Sequence, residues 1–302
     1  MPDSNSFDKK RIRRNFTRAA CAYDAAAVIS REVCARLLER LDVMRLVPQQ
    51  ILDAGSGTGV AAGMLIRRYP RAHVSAVDLT LRMLRAQPRP GKWGNTVRAA
   101  LGRGAVRLIC GDFERLPVRS GAMDLAASNL ALHWSDQPAA AFAEMHRVLR
   151  PGGLLAFATF GPDTLKELAQ ASADAGEPVR AHRFVDMHDL GDLLIRSRFA
   201  APVMEMEYLT LTYARLDDLL RDLRASGALS VRRDRVGLRT PRWRERVAQR
   251  YEALRRDGRL PATLEIVYGH AWKPEAERST RASGLARDGG AIVRFDRPRR
   301  GA

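Results

Sequence analysis

The chain has 302 residues, of which 46% are hydrophobic and 28% are charged, so its composition is that of a folded globular protein. No apolar run approaches the roughly 20 residues of a membrane-spanning helix, which excludes a helical membrane protein. The formal net charge is +17. Because the basic residues are spread along the chain without an RNA-binding motif or a Cys/His finger, the charge favours an acidic protein partner over a nucleic acid.

The N-terminus and the cysteines indicate where the protein works. The first five residues lack the apolar core of a signal peptide. Cys21, Cys34 and Cys110 are odd in number and have no metal-ligand spacing. We therefore predict a cytoplasmic protein with reduced, buried cysteines and no metal site.

The hydrophobic pattern changes along the chain and defines its organisation. We predict disorder for residues 1–8 and 275–302, and a single domain over residues 9–274. Residues 47–159 alternate strand and helix five times, which predicts an α/β fold with a parallel sheet and right-handed crossovers. Strands at residues 203–213 and 264–272 would complete the sheet with an antiparallel edge pair. The successive parts are N-terminal helices (9–46), the strand–helix core (47–159), a substrate-side segment with the sheet edge (160–215), a helical lid insertion (216–260) and the last strand (261–274).

The most informative segment is residues 51–59, where a short apolar strand runs into a glycine-rich turn. Asp53 precedes Gly55, Ser56, Gly57 and Gly59, and a helix-compatible segment follows. A strand, a tight glycine turn and a helix N-terminus form a surface where a ligand can lie against backbone N–H groups. The spacing differs from the dinucleotide fingerprint G-x-G-x-x-G, because Val60 follows Gly59.

Polar residues also end the next three strands. Asp78, followed by Leu79, lies 19 residues beyond Gly59, the distance at which an acid binds ribose hydroxyls in nucleotide-binding α/β folds. Asp112 and Phe113 could flank an adenine, and Asn129 ends the fourth strand. Because the carboxyl ends of parallel strands meet at one edge of the sheet, these residues predict a ligand site there.

These motifs resemble two nested families. An acid followed by glycines at alternate positions is similar to the first motif of class I S-adenosylmethionine-dependent methyltransferases. A wider set of segments resembles the malonyl-[acyl-carrier protein] O-methyltransferases of biotin synthesis: residues 15–16, 19–20, 23–24, 129–134, 160–168, 182–184 and 260–263. The resemblance implies a Rossmann-like seven-stranded class I methyltransferase sheet, S-adenosyl-L-methionine as cofactor, and malonyl-loaded acyl carrier protein as substrate. The methyl ester would then prime pimeloyl synthesis.

Three residues are candidates for the substrate side of this site. Arg183 could pair with the malonyl carboxylate, because a guanidinium donates two parallel hydrogen bonds. Tyr23 could donate its hydroxyl to the cofactor or the substrate, or it could only pack between helices. His133 follows Asn129 at the cofactor edge, where packing beside Trp134 is the alternative to catalysis. The carrier protein of this family's reaction is acidic, so the basic insertion is predicted to be its docking face and a lid.

Two other functions remain open at this point. The mitochondrial complex I assembly-factor group, thought to hydroxylate an arginine, shares the pattern of residues 129–134 and of residues 163–165. The absence of a targeting peptide counts against it. An RNA-binding or RNA-modifying protein that uses the basic helices is the third possibility.

Overall fold

A computed structural model of the chain describes residues 8–87, 102–176, 184–225 and 241–275. The predicted disorder of residues 1–7 and 276–302 concerns residues outside these ranges. Asp8, which the sequence grouped with the disordered start, has a defined role, because its carboxylate caps the first helix by accepting from the Lys10 and Arg11 N–H groups.

The predicted alternation of strand and helix holds through the centre of the chain except at residues 111–122, which form turns and an isolated bridge between two strands instead of a helix. The strands in the described residues are β1 Gln50–Ala54, β2 His73–Asp78, β3 Val106–Cys110, β4 Met123–Asn129, β5 Leu149–Phe160, β6 Ala200–Tyr213 and β7 Leu260–Trp272. The helices are α1 Lys9–Ala19, α2 Tyr23–Ala26, α3 Val28–Glu39, α4 Val60–Arg68, α5 Leu81–Ala86, α6 Pro138–Val148, α7 Lys166–Asp174, α8 Met187–Arg196, α9 Leu216–Ala225 and α10 Pro241–Glu252, with a short 3₁₀ turn at Leu132–Trp134.

The seven strands form one sheet in the order β3-β2-β1-β4-β5-β7-β6. Strands β1 to β5 are parallel to one another, whereas β7 is antiparallel to both β5 and β6. The predicted mostly parallel sheet with an antiparallel last strand is therefore confirmed. Since β1 to β5 run in the same direction, their carboxyl ends meet at one edge, which we call the carboxyl edge.

Two apolar cores cover the two faces of the sheet. Successive strand residues point to opposite faces, so Ile51 belongs to the core with α3 and α4 while Leu52 belongs to the core with α6 and α8. Both side chains are fully buried. The near-continuous apolar character of β1, β4 and β5 follows from this two-sided burial.

A third, smaller core lies at the carboxyl edge. Trp243, Val247 and Tyr251 of α10 pack with α7 and α9 against the first residues of β7. These residues of β7 extend past the carboxyl end of β5, because Phe160 pairs with Ile266. The helical insertion, α9 and α10, therefore packs on the same edge as the predicted ligand site.

Two sequence expectations about single residues are wrong. Only Cys34 is buried; Cys21 and Cys110 are exposed, because Cys110 ends the outermost strand β3. Asp163 does not cap α7, which begins three residues later; its carboxylate instead accepts from Lys166 and from the Tyr208 hydroxyl. No helix in the described part of the chain is both long and apolar enough to cross a membrane.

Candidate cofactor and substrate site

The glycine turn after β1 needs its glycines for different physical reasons. Gly55, Gly57 and Gly59 all have positive φ, a conformation that side-chain-bearing residues rarely adopt. A Cβ on Gly55 would lie 2.2 Å from the Cβ of Ala131, so the turn packs directly on the chain that follows β4. A Cβ on Gly57 would meet no atom within 4 Å. The turn is therefore packed beneath Gly55 and open above Gly57, where a ligand has room.

The backbone N–H groups of this turn are committed to the protein. Those of Gly55 and Ser56 donate to the Val77 carbonyl at 2.8 and 2.9 Å, and that of Gly59 donates to Ser56. The Gly57 N–H donates to Oδ2 of Asp78 at 2.9 Å. The expectation that a ligand would lie against free N–H groups therefore does not hold for these four N–H groups. What the turn offers a ligand is open space above Gly57 rather than hydrogen-bond donors.

Asp78, at the end of β2, joins the turn to the next strand. Its Oδ1 accepts from the Thr80 N–H at 2.7 Å, and its Oδ2 accepts from Gly57. Burial raises the pKa of Asp78, and the two N–H groups act in the opposite direction. Both N–H bonds hold the carboxylate at the carboxyl edge, where its remaining lone pairs can accept from hydroxyl groups.

Asp53 lies beneath the turn and is 1% exposed. Burial raises its pKa to about 7, and the charge of Asp78 adds to the rise. The Ala62 N–H in the first turn of α4 lowers the pKa, although its geometry falls short of a full hydrogen bond. Asp53 is thus shielded from solvent, and its contact with a cofactor stays a prediction.

The end of β3 is bound to the N-terminal helix. Lys9 of α1 pairs with Asp112 at 2.5 Å and also with Glu114. Glu114 in turn accepts from the Ser135 hydroxyl at 2.7 Å and the Asp136 N–H at 3.0 Å. Phe113 packs partly buried in the core shared with α6. Of the predicted adenine-flanking pair, Asp112 is therefore bound to α1 and Phe113 packs on the second core, and Glu114 connects this strand end to the loop after β4.

Asn129 ends β4 with one half of its amide engaged. Its Nδ2 donates to the backbone oxygen of Ser30 at 2.9 Å and to the Ser30 hydroxyl at 3.2 Å. Its Oδ1 is buried and has no hydrogen-bond partner among the described residues. A buried acceptor without a partner is costly unless a bound group donates to it, so Oδ1 is a candidate contact for a ligand N–H.

An aromatic cluster borders the site beyond β4 and β5. The ring of His133 lies 4.9 Å from Phe160, 5.1 Å from Trp134 and 5.8 Å from Phe184. Phe16 of α1 meets Trp134 edge to face at 5.3 Å. Leu79 packs with Ile12, Phe16 and Trp134. His133 therefore sits within aromatic packing, and the cluster forms an apolar wall next to the carboxyl edge.

Tyr23 begins the short helix α2, which faces the glycine turn. Burial raises the pKa of Tyr23 to about 12, with smaller contributions from Asp78 and Asp24, so the phenol stays protonated and can donate. Its neighbour Asp24 accepts from the Thr58 hydroxyl at 2.5 Å, which ties α2 to the turn. Arg183 lies outside the described residues; Phe184, which follows it, contacts His133 and Phe160.

Three contributors to this site were missed from the sequence. Gln87, 5% exposed, donates from Nε2 to the Ser56 hydroxyl and to the Gly57 carbonyl, both at 3.0 Å. It stands where the sequence showed only a turn-rich connection, so no pattern marked it. Thr58 was likewise unmarked. Lys9 did carry a signal, because it shares helical spacing with Ile12 and Phe16, which places it on the inward face of α1.

Comparison with known proteins agrees with this geometry. A family profile described as a methyltransferase domain matches residues 52–157. A putative methyltransferase structure from Bacillus halodurans covers 80% of this chain and 98% of its own, with a TM-score of 0.54 and 18% identity, which shows the fold.

Full-length relatives are more specific than the fold. A malonyl-[acyl-carrier protein] O-methyltransferase from Laribacter hongkongensis is 48% identical over 98% of both chains. One of the same name from Gallionella capsiferriformans is 47% identical over 95% of this chain and 96% of its own. With this identity over nearly the whole length, the chain belongs to the malonyl-[acyl-carrier protein] O-methyltransferase family.

Proposed function

We propose that this protein transfers a methyl group from S-adenosylmethionine to the free carboxylate of a malonyl group carried on acyl carrier protein. The observation that carries the proposal is identity of 48% over 98% of the chain with a protein of that name. The methyl ester would prime pimeloyl synthesis for biotin, and we place the reaction in the cytoplasm. The arginine-modifying and RNA-directed alternatives find no support in these relatives.

The residues at the carboxyl edge fit this cofactor. Open space above Gly57 leaves room for it, Asp78 offers carboxylate lone pairs for ribose hydroxyls, and Oδ1 of Asn129 offers an acceptor for an ammonium N–H. Leu79 and Phe113 supply apolar surface at the neighbouring strand ends. When bound, S-adenosylmethionine supplies a sulfonium methyl group that a carboxylate oxygen can attack directly.

The protein's part in this reaction is to position groups and exclude water. A malonyl carboxylate, with a pKa of about 4 by analogy with Asp and Glu, is ionised at neutral pH and needs no general base. His133 therefore has no proton to remove, which agrees with its place in the aromatic cluster. Phe160, Phe184 and Trp134 provide an apolar wall that excludes water from the reacting atoms.

Two side chains are assigned to the substrate and cofactor in this proposal. Tyr23 keeps its proton, so its hydroxyl acts as a neutral donor at the edge shared by α2 and the glycine turn. Arg183 pairs with the malonyl carboxylate through its two parallel N–H groups. The contact of Phe184 with His133 supports this assignment, because Phe184 is next to Arg183 in the sequence and lies in the aromatic wall.

Mass spectrometry of carrier protein tests the function directly. Malonyl-carrier protein incubated with the enzyme and S-adenosylmethionine should gain the mass of one methyl group in exchange for a proton. Acetyl-carrier protein, which has no free carboxylate, is the matched control and should remain unchanged. If malonyl-carrier protein keeps its mass while an arginine peptide or an RNA gains one, the proposal is wrong and the corresponding alternative replaces it.

A further inference from the structure

The outer face of α1 is the most concentrated positive surface among the described helices. The helix carries six basic residues and no acidic one. Lys9 turns inward to Asp112 and Glu114, while Lys10, Arg13, Arg14 and Arg18 are exposed. We call these four residues the α1 stripe. Lys10, Arg14 and Arg18 follow one another at four-residue spacing, so the stripe runs about 12 Å along the helix.

The described part of the protein does not neutralise the stripe. Within the described ranges, no acidic side chain forms an ion pair with Lys10, Arg13, Arg14 or Arg18. Basic residues in the first turn also oppose the helix dipole, and the Asp8 cap offsets part of this cost. Local helix stability therefore does not account for this sequence.

Several arginines of the other basic surfaces are paired with acidic side chains. Arg36 and Arg40 of α3 contact Glu207 and Glu205 of β6. In the helical insertion, Arg244 pairs with Asp217 and Arg221 pairs with Asp218. Helix α9 carries three aspartates against two arginines. The sequence predicted this insertion as the docking face because it is rich in arginine. Three of its arginines, Arg232, Arg233 and Arg235, lie outside the described residues.

The position of the stripe links it to the reaction site. The inward residues Ile12 and Phe16 of the same helix contact Leu79 and Trp134 at the carboxyl edge. Helix α5, which packs beside α1, has exposed Arg82 and Arg85 and no acidic residue. A partner on this surface would therefore lie next to the carboxyl edge, where the cofactor and substrate site is proposed.

We propose that the α1 stripe, rather than the helical insertion, is the docking surface for the acidic carrier protein; this rests on the proposed function. Complementary charge across such a surface mainly accelerates encounter, and salt screens it. A bound carrier protein would deliver its thioester arm over the edge that α1 covers.

Two matched triple charge reversals test this proposal. The first changes the stripe (Lys10→Glu, Arg14→Glu, Arg18→Glu), and the second changes exposed arginines of the insertion (Arg224→Glu, Arg242→Glu, Arg250→Glu). The substrates are malonyl-carrier protein and the small malonyl N-acetylcysteamine thioester, which keeps the malonyl carboxylate but lacks the acidic surface of the carrier protein. The stripe variant should raise KM for the carrier-bound substrate by about tenfold or more at low salt, with KM for the small thioester unchanged. The insertion variant should change neither.

Several results would overturn the inference. A selective rise in KM from the insertion variant alone would move docking to that surface, and normal KM values for both variants would remove charge-directed docking. If the stripe variant loses cofactor affinity in calorimetry, the substitutions have damaged the helix itself. A milder double variant that removes two charges, Arg13→Gln and Arg14→Gln, then tests the docking surface by the same KM measurements. If the wild-type protein methylates neither substrate, the proposed function fails instead.

Discussion

Gln87 supports the glycine turn from below, and replacing it with methionine should weaken cofactor binding. Methionine keeps the length and approximate volume of the side chain but removes the amide that donates to Ser56 and Gly57. Each net hydrogen bond contributes about 0.5–1.5 kcal/mol, so Gln87→Met should lower the free energy of unfolding by about 1–3 kcal/mol.

The same loss should appear in the cofactor Kd. If the turn must be reordered when the cofactor binds, the binding free energy falls by up to the same amount, which corresponds to a Kd about 5- to 150-fold higher. Denaturant titration without cofactor measures the first quantity, and titration calorimetry with S-adenosylmethionine measures the second. Gln49→Met, at an exposed position, is the control and should change neither.

The two measurements distinguish a role of Gln87 in the fold from a role in cofactor binding. A lower free energy of unfolding with an unchanged Kd would mean that Gln87 supports the fold but not the ligand geometry of the turn. Wild-type values in both measurements would refute the assigned role altogether.

Three further predictions concern the strand ends and the substrate arginine. Asp78→Ala should weaken S-adenosylmethionine binding by about 1.5–3 kcal/mol in calorimetry, and Gly57→Val should weaken it more; unchanged affinity in both would remove the assigned cofactor site. Arg183→Lys should lower kcat/KM for malonyl thioester with cofactor affinity retained, whereas wild-type turnover by Arg183→Ala would assign the carboxylate to another arginine. Asp53, with a pKa raised from 3.8 to about 7, should make the cofactor-free protein less stable as pH rises from about 4 to about 7, by about 4 kcal/mol at most, and not further above pH 7. Asp53→Asn should abolish this loss in denaturant titrations at pH 5 and pH 8, and an unchanged pH dependence would contradict it.

The strand ends could be predicted because their signals are local. An apolar run that stops at an acid or a glycine marks both the strand and its end, and parallel pairing then brings Asp78, Asp112 and Asn129 to one edge. The structure places these residues there, although their contacts with a cofactor stay predictions. The antiparallel position of β7 was also predicted, but the local pattern does not encode it, because helices separate β5, β6 and β7 just as they separate parallel strands.

The site features that could not be predicted from the sequence depend on contacts between distant segments. The amide of Gln87 reaches the glycine turn across about thirty residues, and no periodic pattern encodes such a contact. Asp163 has the residue type and spacing of a helix cap, but its backbone N–H is bound by Glu265 of β7 and its carboxylate by Tyr208 of β6. The tertiary contacts override the local preference of the residue.

The sheet order also constrains when the protein can complete its fold during synthesis. Strands β1 to β5 can pair as they are made, but β6 pairs with β7, and β7 is synthesised only after the helical insertion. Until then β5 has an open edge and β6 lacks its neighbour, a state in which unpaired strands are prone to aggregate. A chain ending before residue 260 would retain a five-stranded parallel sheet without the strand that attaches β6. Completion of this enzyme thus depends on the last strand entering between two that already exist.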